Sequence, residues 1–334
     1  IKWMNNSSKY IFTCEDAEEL KIKGVFSLGA SKKLEEVKIA SSFESNIEIQ
    51  LRKITFFLRS RVHEVPLEDD SSFYLLEVIT NSKESLEAMK GTITCIEHDR
   101  IDLAYQKQIN LKTGKLVGLE ALLRLRDEDG NIIPNDKFIP LIEGESLFSL
   151  VVMSSLQKLK KAFELKNEFN MDGVTIYLNV SAHTAMQDNF TKIFADFVKD
   201  LSLKPGELGL EITETAELED VKKAGESFQK LKDIGIPLAI DDFGAGYSSL
   251  SYLRDLPVDS VKLDKVFAKT ISEKTTSELI KFVVSVCDTL SLNMLGEGIE
   301  TDDQKEKFIK IGCPNGQGYL MHRPEFIEDL KKSL

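Results

Sequence analysis

Past residue 100 the chain repeats one unit: a short apolar run, then an amphipathic stretch. The runs are Ile101–Tyr105, Leu116–Leu122, Val174–Val180, Glu207–Ile212, Ile236–Asp241, Ser260–Leu263, Leu292–Glu297 and Gly318–Met321. Each has the length of a strand covered on both faces. Helical segments lie between most of them, among them Phe148–Phe169, Glu219–Ile234 and Ser277–Ser291. Strand followed by helix, in eight units over about 230 residues, predicts a TIM-like (β/α)8 barrel across residues 100–334. A chain of 334 residues can bury such a core and still carry a smaller domain.

Residues 1–82 read as that smaller α+β domain. Ile47–His63 is rich in β-branched and aromatic residues, and the turn-rich EVPLEDDSS and then FYLLEVIT follow it, as in a long β-hairpin. The pattern V-x-x-V-P-L-x-D-D before a strand resembles the last two strands of a PAS sensor domain, which implies a regulatory role. Any other antiparallel α+β module fits the pattern too. Residues 83–99 are expected to form a helical or mixed linker.

The formal net charge of -12 repels polyanions. A broad nucleic-acid surface is therefore excluded, and DNA is not an expected partner. A phosphate-bearing ligand would have to be drawn by a local device, such as metal ions or a few placed Arg and Lys side chains. Cys14, Cys95, Cys287 and Cys313 are widely spaced with no CxxC pair. That excludes a disulfide framework or zinc knuckle and fits a reducing cytoplasm. No signal peptide is expected, and the sequence holds no apolar run of about 18 residues. The chain begins at Ile1 rather than Met, so membrane association would require an anchor upstream.

In a (β/α)8 barrel, polar side chains at the C-terminal ends of strands face the active site. Glu120 in GLEALLRL, Asn179 in TIYLNVS, Glu211 and Glu214 in LGLEITET, and Asp241 and Asp242 in PLAIDDFGAGYSS all sit near such ends. So do Lys262 and Asp264 in SVKLD, Glu297 and Glu300 in MLGEGIET, and Gln317 in GQGYL. Each alone could be a surface residue, an ion-pair partner or a cap. Together at one barrel mouth, the carboxylates repel one another at a cost of several kcal/mol each when buried. Divalent cations offset that cost, and an all-oxygen donor set favours Mg²⁺ or Mn²⁺ over zinc. Two such ions about 3.5–4 Å apart suit a phosphodiester.

The motifs EALLRL, LNVS, EITE, DDFGAGYSSLSYL, VKLD, GEGIET and GQGYLMHRP, in this order, resemble EAL-type cyclic di-GMP phosphodiesterases from about Tyr105 to Pro324. The resemblance implies hydrolysis of cyclic di-GMP to linear pGpG. It assigns Glu120, Asn179, Glu211 and Asp241 to one metal, and Asp241, Asp242 and Glu297 to a second. Lys262 would orient or deprotonate the attacking water, and Glu214 would support the loop beginning DDFG. Gln106, Arg124, Asp264 and Gln317 would contact substrate or its bound water, Arg124 through its bidentate fork. Relatives of this kind usually dimerise near the DDFG loop, and Tyr247–Leu256, YSSLSYLRDL, carries apolar residues suited to a homodimer contact or to packing on the barrel.

The chain departs from the family pattern at three places. Leu125 stands where Trp often follows ALLR, Pro314 makes GCP of GCD, and Lys107 replaces the proline of YQPI. None removes a proposed ligand. Rival constellations are incomplete: His98–Asp99 lacks the further histidines of an HD-type phosphodiesterase, no GxSxG is present, and DEDG at Asp127 reads as a turn rather than a calcium loop. The remaining alternative is a catalytically silent receptor for cyclic di-GMP.

Overall fold

The computed structural model describes residues 10–13, 24–25, 41–51, 54–66, 72–78, 83–142, 146–187, 189–213, 221–244 and 250–334. The chain divides into two units: Ile1–Ile101 with Leu125–Met153, and Asp102–Arg124 with Ser154–Leu334.

The first unit holds β1 (Tyr10–Thr13), β2 (Gly24–Val25), β3 (Ser41–Leu51), β4 (Ile54–Pro66), β5 (Ser72–Val78) and α1 (Lys83–Glu97). The five strands form one antiparallel sheet in the order β2-β1-β5-β4-β3. The expected hairpin is present as β4 and β5, in register from Ser60↔Val78 to Pro66↔Ser72. The run from Ile47 to His63 is shared between two strands: β3 and β4 pair from Leu51↔Ile54 outward. The segment expected to be a helical or mixed linker is helical throughout α1, which buries Ile93, Cys95 and Ile96. In the same unit DEDG is a turn, with Asp127 Oδ1 accepting from the backbone nitrogens of Asp129 (3.0 Å) and Asn131 (2.8 Å).

The remaining elements begin with β6 (Ile101–Asn110), β7 (Leu116–Arg126), β8 (Ile132–Ile133), α2 (Asn135–Ile142) and α3 (Ser146–Glu168). Next come β9 (Thr175–Ser181), α4 (Ala182–Ala185), α5 (Phe190–Asp200), β10 (Leu208–Thr213), α6 (Val221–Asp233), β11 (Leu238–Phe243) and α7 (Leu250–Asp255). They end with β12 (Ser260–Leu263), α8 (Lys265–Thr270), α9 (Lys274–Leu290), β13 (Asn293–Gly296), α10 (Asp302–Ile311), β14 (Asn315–Gly316), β15 (Glu325–Phe326) and α11 (Ile327–Ser333). Strands pair in the order β6-β14-β13-β12-β11-β10-β9-β7, and β7 pairs back with β6, so the eight-stranded barrel is closed.

Local sequence accounts for this architecture. All of LGLEIT in β10 is buried except its last residue, as a barrel strand covered by helices requires. The helices bury residues three and four apart: Phe190, Phe194 and Phe197 in α5, Ala224, Phe228 and Leu231 in α6, and Ile280, Val283 and Cys287 in α9. Helix α10 opens with a capping box between Thr301 and Gln304. Among the described residues no helix is long and apolar enough to cross a membrane.

Two expectations are corrected. The first barrel connection is a hairpin, not a helix, and β6 runs antiparallel to β14. Asn110 makes this turn: its nitrogen donates to Lys115 O (2.8 Å), and its Oδ1 accepts from the nitrogens of Lys112 (3.2 Å) and Thr113 (3.0 Å). The final strand of the closed barrel is β14, whereas Gly318–Met321 turns, with the nitrogens of Met321 (3.1 Å) and His322 (3.0 Å) both bonded to Gly318 O. This turn packs directly on the backbone at Ile299, and a Cβ on Gly318 would lie 2.1 Å from Ile299 O.

Candidate active site

Lys262 stands at the centre of the barrel mouth. Its strand, β12, buries it to 2% exposure among carboxylates from four other elements. Its ammonium lies 2.6 Å from Glu211 Oε2 of β10 and 2.9 Å from Asp241 Oδ1 of β11. Glu297 Oε1, just past β13, is at 2.8 Å, and Glu120 Oε2 of β7 is at 3.6 Å.

Amides complete the arrangement. Asn179 Nδ2 donates to Glu120 Oε1 (2.8 Å), and Gln317 Nε2 donates to Glu120 Oε2. Gln317 Nε2 also donates to Gln106 Oε1 (2.9 Å). Gln108 Nε2 donates to Glu211 Oε1 (2.9 Å). The sequence reading missed Gln108, although it sits two residues from Gln106 on β6 and so shares its face.

Asp241 and Asp242 owe their placement to a defect in the strand. The register between β11 and β12 shifts between Ile240 and Phe243, a bulge, and Asp242 has a left-handed φ of 52°. In a regular strand two consecutive side chains would point to opposite faces. With the bulge, carboxylate oxygens of Asp241, Asp242 and Glu297 come within 4.8 Å of one another. A second such group, Glu120, Glu211 and Asp241, shares Asp241 with the first. Gly244 ends the strand with a φ of 94°, against the ring of Phe267, which a Cβ there would meet at 2.3 Å.

These charges perturb one another. Burial pushes Glu211 well up, and Glu120 beside it adds to the effect. Burial also raises Asp241, with Lys262 only partly opposing it. Burial and then Asp241 push Asp242 up to about 6, and burial, against Lys262, pushes Glu297 up to about 8. Burial would raise Glu120 likewise, but Lys262, Asn179 and Gln317 outweigh it and hold it below the usual carboxylate range. Burial disfavours the Lys262 ammonium, yet Asp241, Glu120, Glu211 and Glu297 together hold its pKa well above normal.

The residues fit divalent cations. Five carboxylates face one ammonium, an excess of negative charge that a buried site does not tolerate without counter-charge. Asp241 is common to both acidic groups, and its buried Oδ1 meets the Lys262 ammonium at 2.9 Å but no further hydrogen-bond donor. All donors are oxygens, as Mg²⁺ or Mn²⁺ prefers.

The other expected residues surround this centre or lie beyond it. Asp264 is buried beside Asp242, whose carboxyl it helps push up, and it also caps α8, its Oδ1 accepting from Val266 N (2.7 Å). Arg124 bonds Leu123 O (2.7 Å), and burial lowers its pKa. Glu300 is exposed, its nitrogen bonded to Gln304 Oε1 (2.8 Å). Glu214 and Tyr247–Ser249 lie outside the described residues.

Comparisons with known proteins give the family and the fold. The chain is 29% identical to "Cyclic di-GMP phosphodiesterase PdeA" of Borreliella burgdorferi over 97% of its length, and covers 52% of that protein. It thus spans about half the length of this curated relative. The solved PaMucR phosphodiesterase, in a c-di-GMP complex, superposes with a TM-score of 0.68 at 28% identity, over 73% of this chain and 99% of that one. Klebsiella pneumoniae BlrP1, in a manganese/cy-diGMP complex, gives 0.59 at 25% identity, over 68% of this chain and 56% of that one. Residues 87–324 match the EAL domain, a stretch that contains every side chain of the acidic centre, and the chain belongs to that family.

Proposed function

We propose that this protein hydrolyses cyclic di-GMP to linear pGpG with the help of two divalent cations, Mg²⁺ or Mn²⁺. The observation that carries the reading is the pair of acidic groups joined at Asp241 by the β11 bulge. Glu120, Asn179, Glu211 and Asp241 would hold one cation, and Asp241, Asp242 and Glu297 the other. Such cations supply Lewis acidity toward a phosphodiester oxygen and counter-charge for the carboxylates. The names of PdeA and PaMucR and the cyclic di-GMP bound to PaMucR and BlrP1 support the same substrate.

Lys262 would act as donor rather than base, because the cations already acidify the attacking water. Its ammonium would orient the attacking water and neutralise charge gathering on the phosphoryl oxygens. Water oxygen bonds to phosphorus, the P–O3′ bond breaks, and the water's proton is balanced by protonation of the 3′ oxygen, leaving a 5′-phosphate. Gln106, Gln317, Arg124 and Asp264 would contact substrate or its bound water, and Glu214 would support the DDFG loop. The N-terminal sheet, in which the PAS-like motif joins the last two strands of five, would regulate the barrel. We further propose a cytoplasmic homodimer formed near Tyr247–Leu256.

The test is turnover of cyclic di-GMP with Mg²⁺ or Mn²⁺, followed chromatographically. The expected outcome is pGpG, abolished by chelation and by Glu120→Ala or Asp241→Ala in folded protein. Tight binding of cyclic di-GMP without turnover in either metal would replace the enzyme with a receptor.

A further inference from the structure

Lys107 stands where the EAL pattern has proline, and the structure gives its backbone N–H a partner. That nitrogen donates to His322 Nδ1 at 3.3 Å, a bond proline cannot make. With Nδ1 accepting, the neutral ring carries its hydrogen on Nε2, which faces Glu325 Oε2 at 3.1 Å. Glu325 Oε2 also accepts from Ser333 Oγ (2.9 Å) at the end of α11. Lys107 Nζ closes the ring of contacts on Ser333 O (2.7 Å) and Oγ (3.1 Å), a cation at a helix C-terminus.

The same residue reaches the acidic centre through its backbone. His322 O accepts from Gln106 Nε2 (2.9 Å), and Gln106 Oε1 accepts from Gln317 Nε2, which also bonds Glu120. One residue thus holds two successive positions of β6, Lys107 by its ring and Gln106 by its carbonyl. The ring is only 8% exposed, and burial lowers its pKa, favouring the neutral form that can accept from Lys107.

We propose that Lys107, His322, Glu325 and Ser333 form a clasp that positions Gln106 against its substrate, His322 being a positioning residue for the reaction. The inference rests on the cyclic di-GMP hydrolysis proposed above. The clasp pairs a residue with a backbone N–H at 107, where the family pattern has proline, with a ring acceptor at 322. With proline at 107 the strand would lack the bond to His322 Nδ1, leaving only the Gln106 contact to the His322 carbonyl.

The experiment has two arms on the full chain. ¹⁵N NMR of the His322 ring should show the Nε2–H tautomer, with that preference lost in Lys107→Pro; an Nδ1–H ring in the wild type overturns the clasp. In kinetics, His322→Ala should raise KM about 10-fold, the scale of one lost hydrogen bond, with kcat little changed. His322→Asn, which keeps an acceptor near the Nδ1 position, should restore most of it. The double variant Lys107→Pro/His322→Ala should be no worse than the more damaging single variant, because both delete one bond. Unchanged KM in His322→Ala, or additive effects, would overturn the positioning role. Thermal unfolding and Mn²⁺ affinity confirm that each variant is folded. A wild-type protein that neither turns over nor binds cyclic di-GMP defeats the functional reading, while the tautomer still judges the clasp.

Discussion

Lys262 holds together charges that would otherwise repel. It makes three contacts of 2.6–2.9 Å to buried carboxylates, and no second ammonium is within ion-pair distance of them among the described residues. Lys262→Met should therefore lower the stability of metal-free protein by about 3–5 kcal/mol, the cost of leaving buried charges unpaired. Mn²⁺ should recover part of that loss, as read by thermal unfolding with and without chelator. With metal saturating, turnover should fall by about 10²-fold or more while cyclic di-GMP still binds. Near-normal turnover would reduce Lys262 to a scaffold.

The raised carboxylates also fix a dependence on pH. Burial pushes Glu297 up to about 8 and Asp242 up to about 6, both above their ordinary values. Between an unfolded carboxylate's pKa and these values, the folded state binds more protons than the unfolded state. Stability contributed by these groups is therefore present at about pH 4.5 and lost as pH rises through about 6 and then 8. Metal-free protein should melt at progressively lower temperature across that window, and saturating Mn²⁺ should flatten the trend. A melting temperature that climbs from pH 6 to 8 without metal would contradict the crowded centre.

At the scale of elements, the β11 bulge sets function against stability. Asp242 adopts a φ of 52°, where a side chain with a Cβ is strained. Asp242→Gly should relieve that strain and one buried charge, stabilising the metal-free protein by about 1 kcal/mol. It should also cut turnover sharply, since a carboxylate of the second acidic group is gone. Loss of stability together with activity would mean that the bulge does not depend on a left-handed residue.

The acidic residues were legible in the sequence because a charge inside an apolar strand stands out. Glu211 in LGLEIT is the plainest instance, fully buried at 0% exposure. Gln108 was not legible, since a neutral amide in a strand looks like an ordinary solvent-facing residue. The turn at Gly318–Met321 was misread because Tyr319, Leu320 and Met321 are as apolar as a strand. What decides its shape is the contact of Gly318 with the Ile299 backbone, far away in sequence. The hairpin after β6 carried its own signals, Asn110 and Gly114, but a regular strand–helix alternation across the rest of the barrel overrode them.

At the scale of the whole molecule, charge shapes how a substrate arrives. Net charge is -12, and the proposed substrate, cyclic di-GMP, carries two phosphodiester charges of the same sign. Long-range repulsion slows such encounters and is screened by salt over about 8–10 Å at physiological strength. Raising ionic strength from about 20 to 150 mM should therefore raise kcat/KM at fixed metal. A fall would indicate that a local positive field at the barrel mouth dominates the approach.

Asn179, Gln108, Gln317 and Lys262 hold Glu120, Glu211, Asp241 and Glu297 through protein contacts alone. On the proposed chemistry, withdrawal of the ions would silence the protein without dismantling it. Its output would then follow the free Mg²⁺ or Mn²⁺ of its surroundings reversibly, on the timescale of ion exchange rather than of refolding.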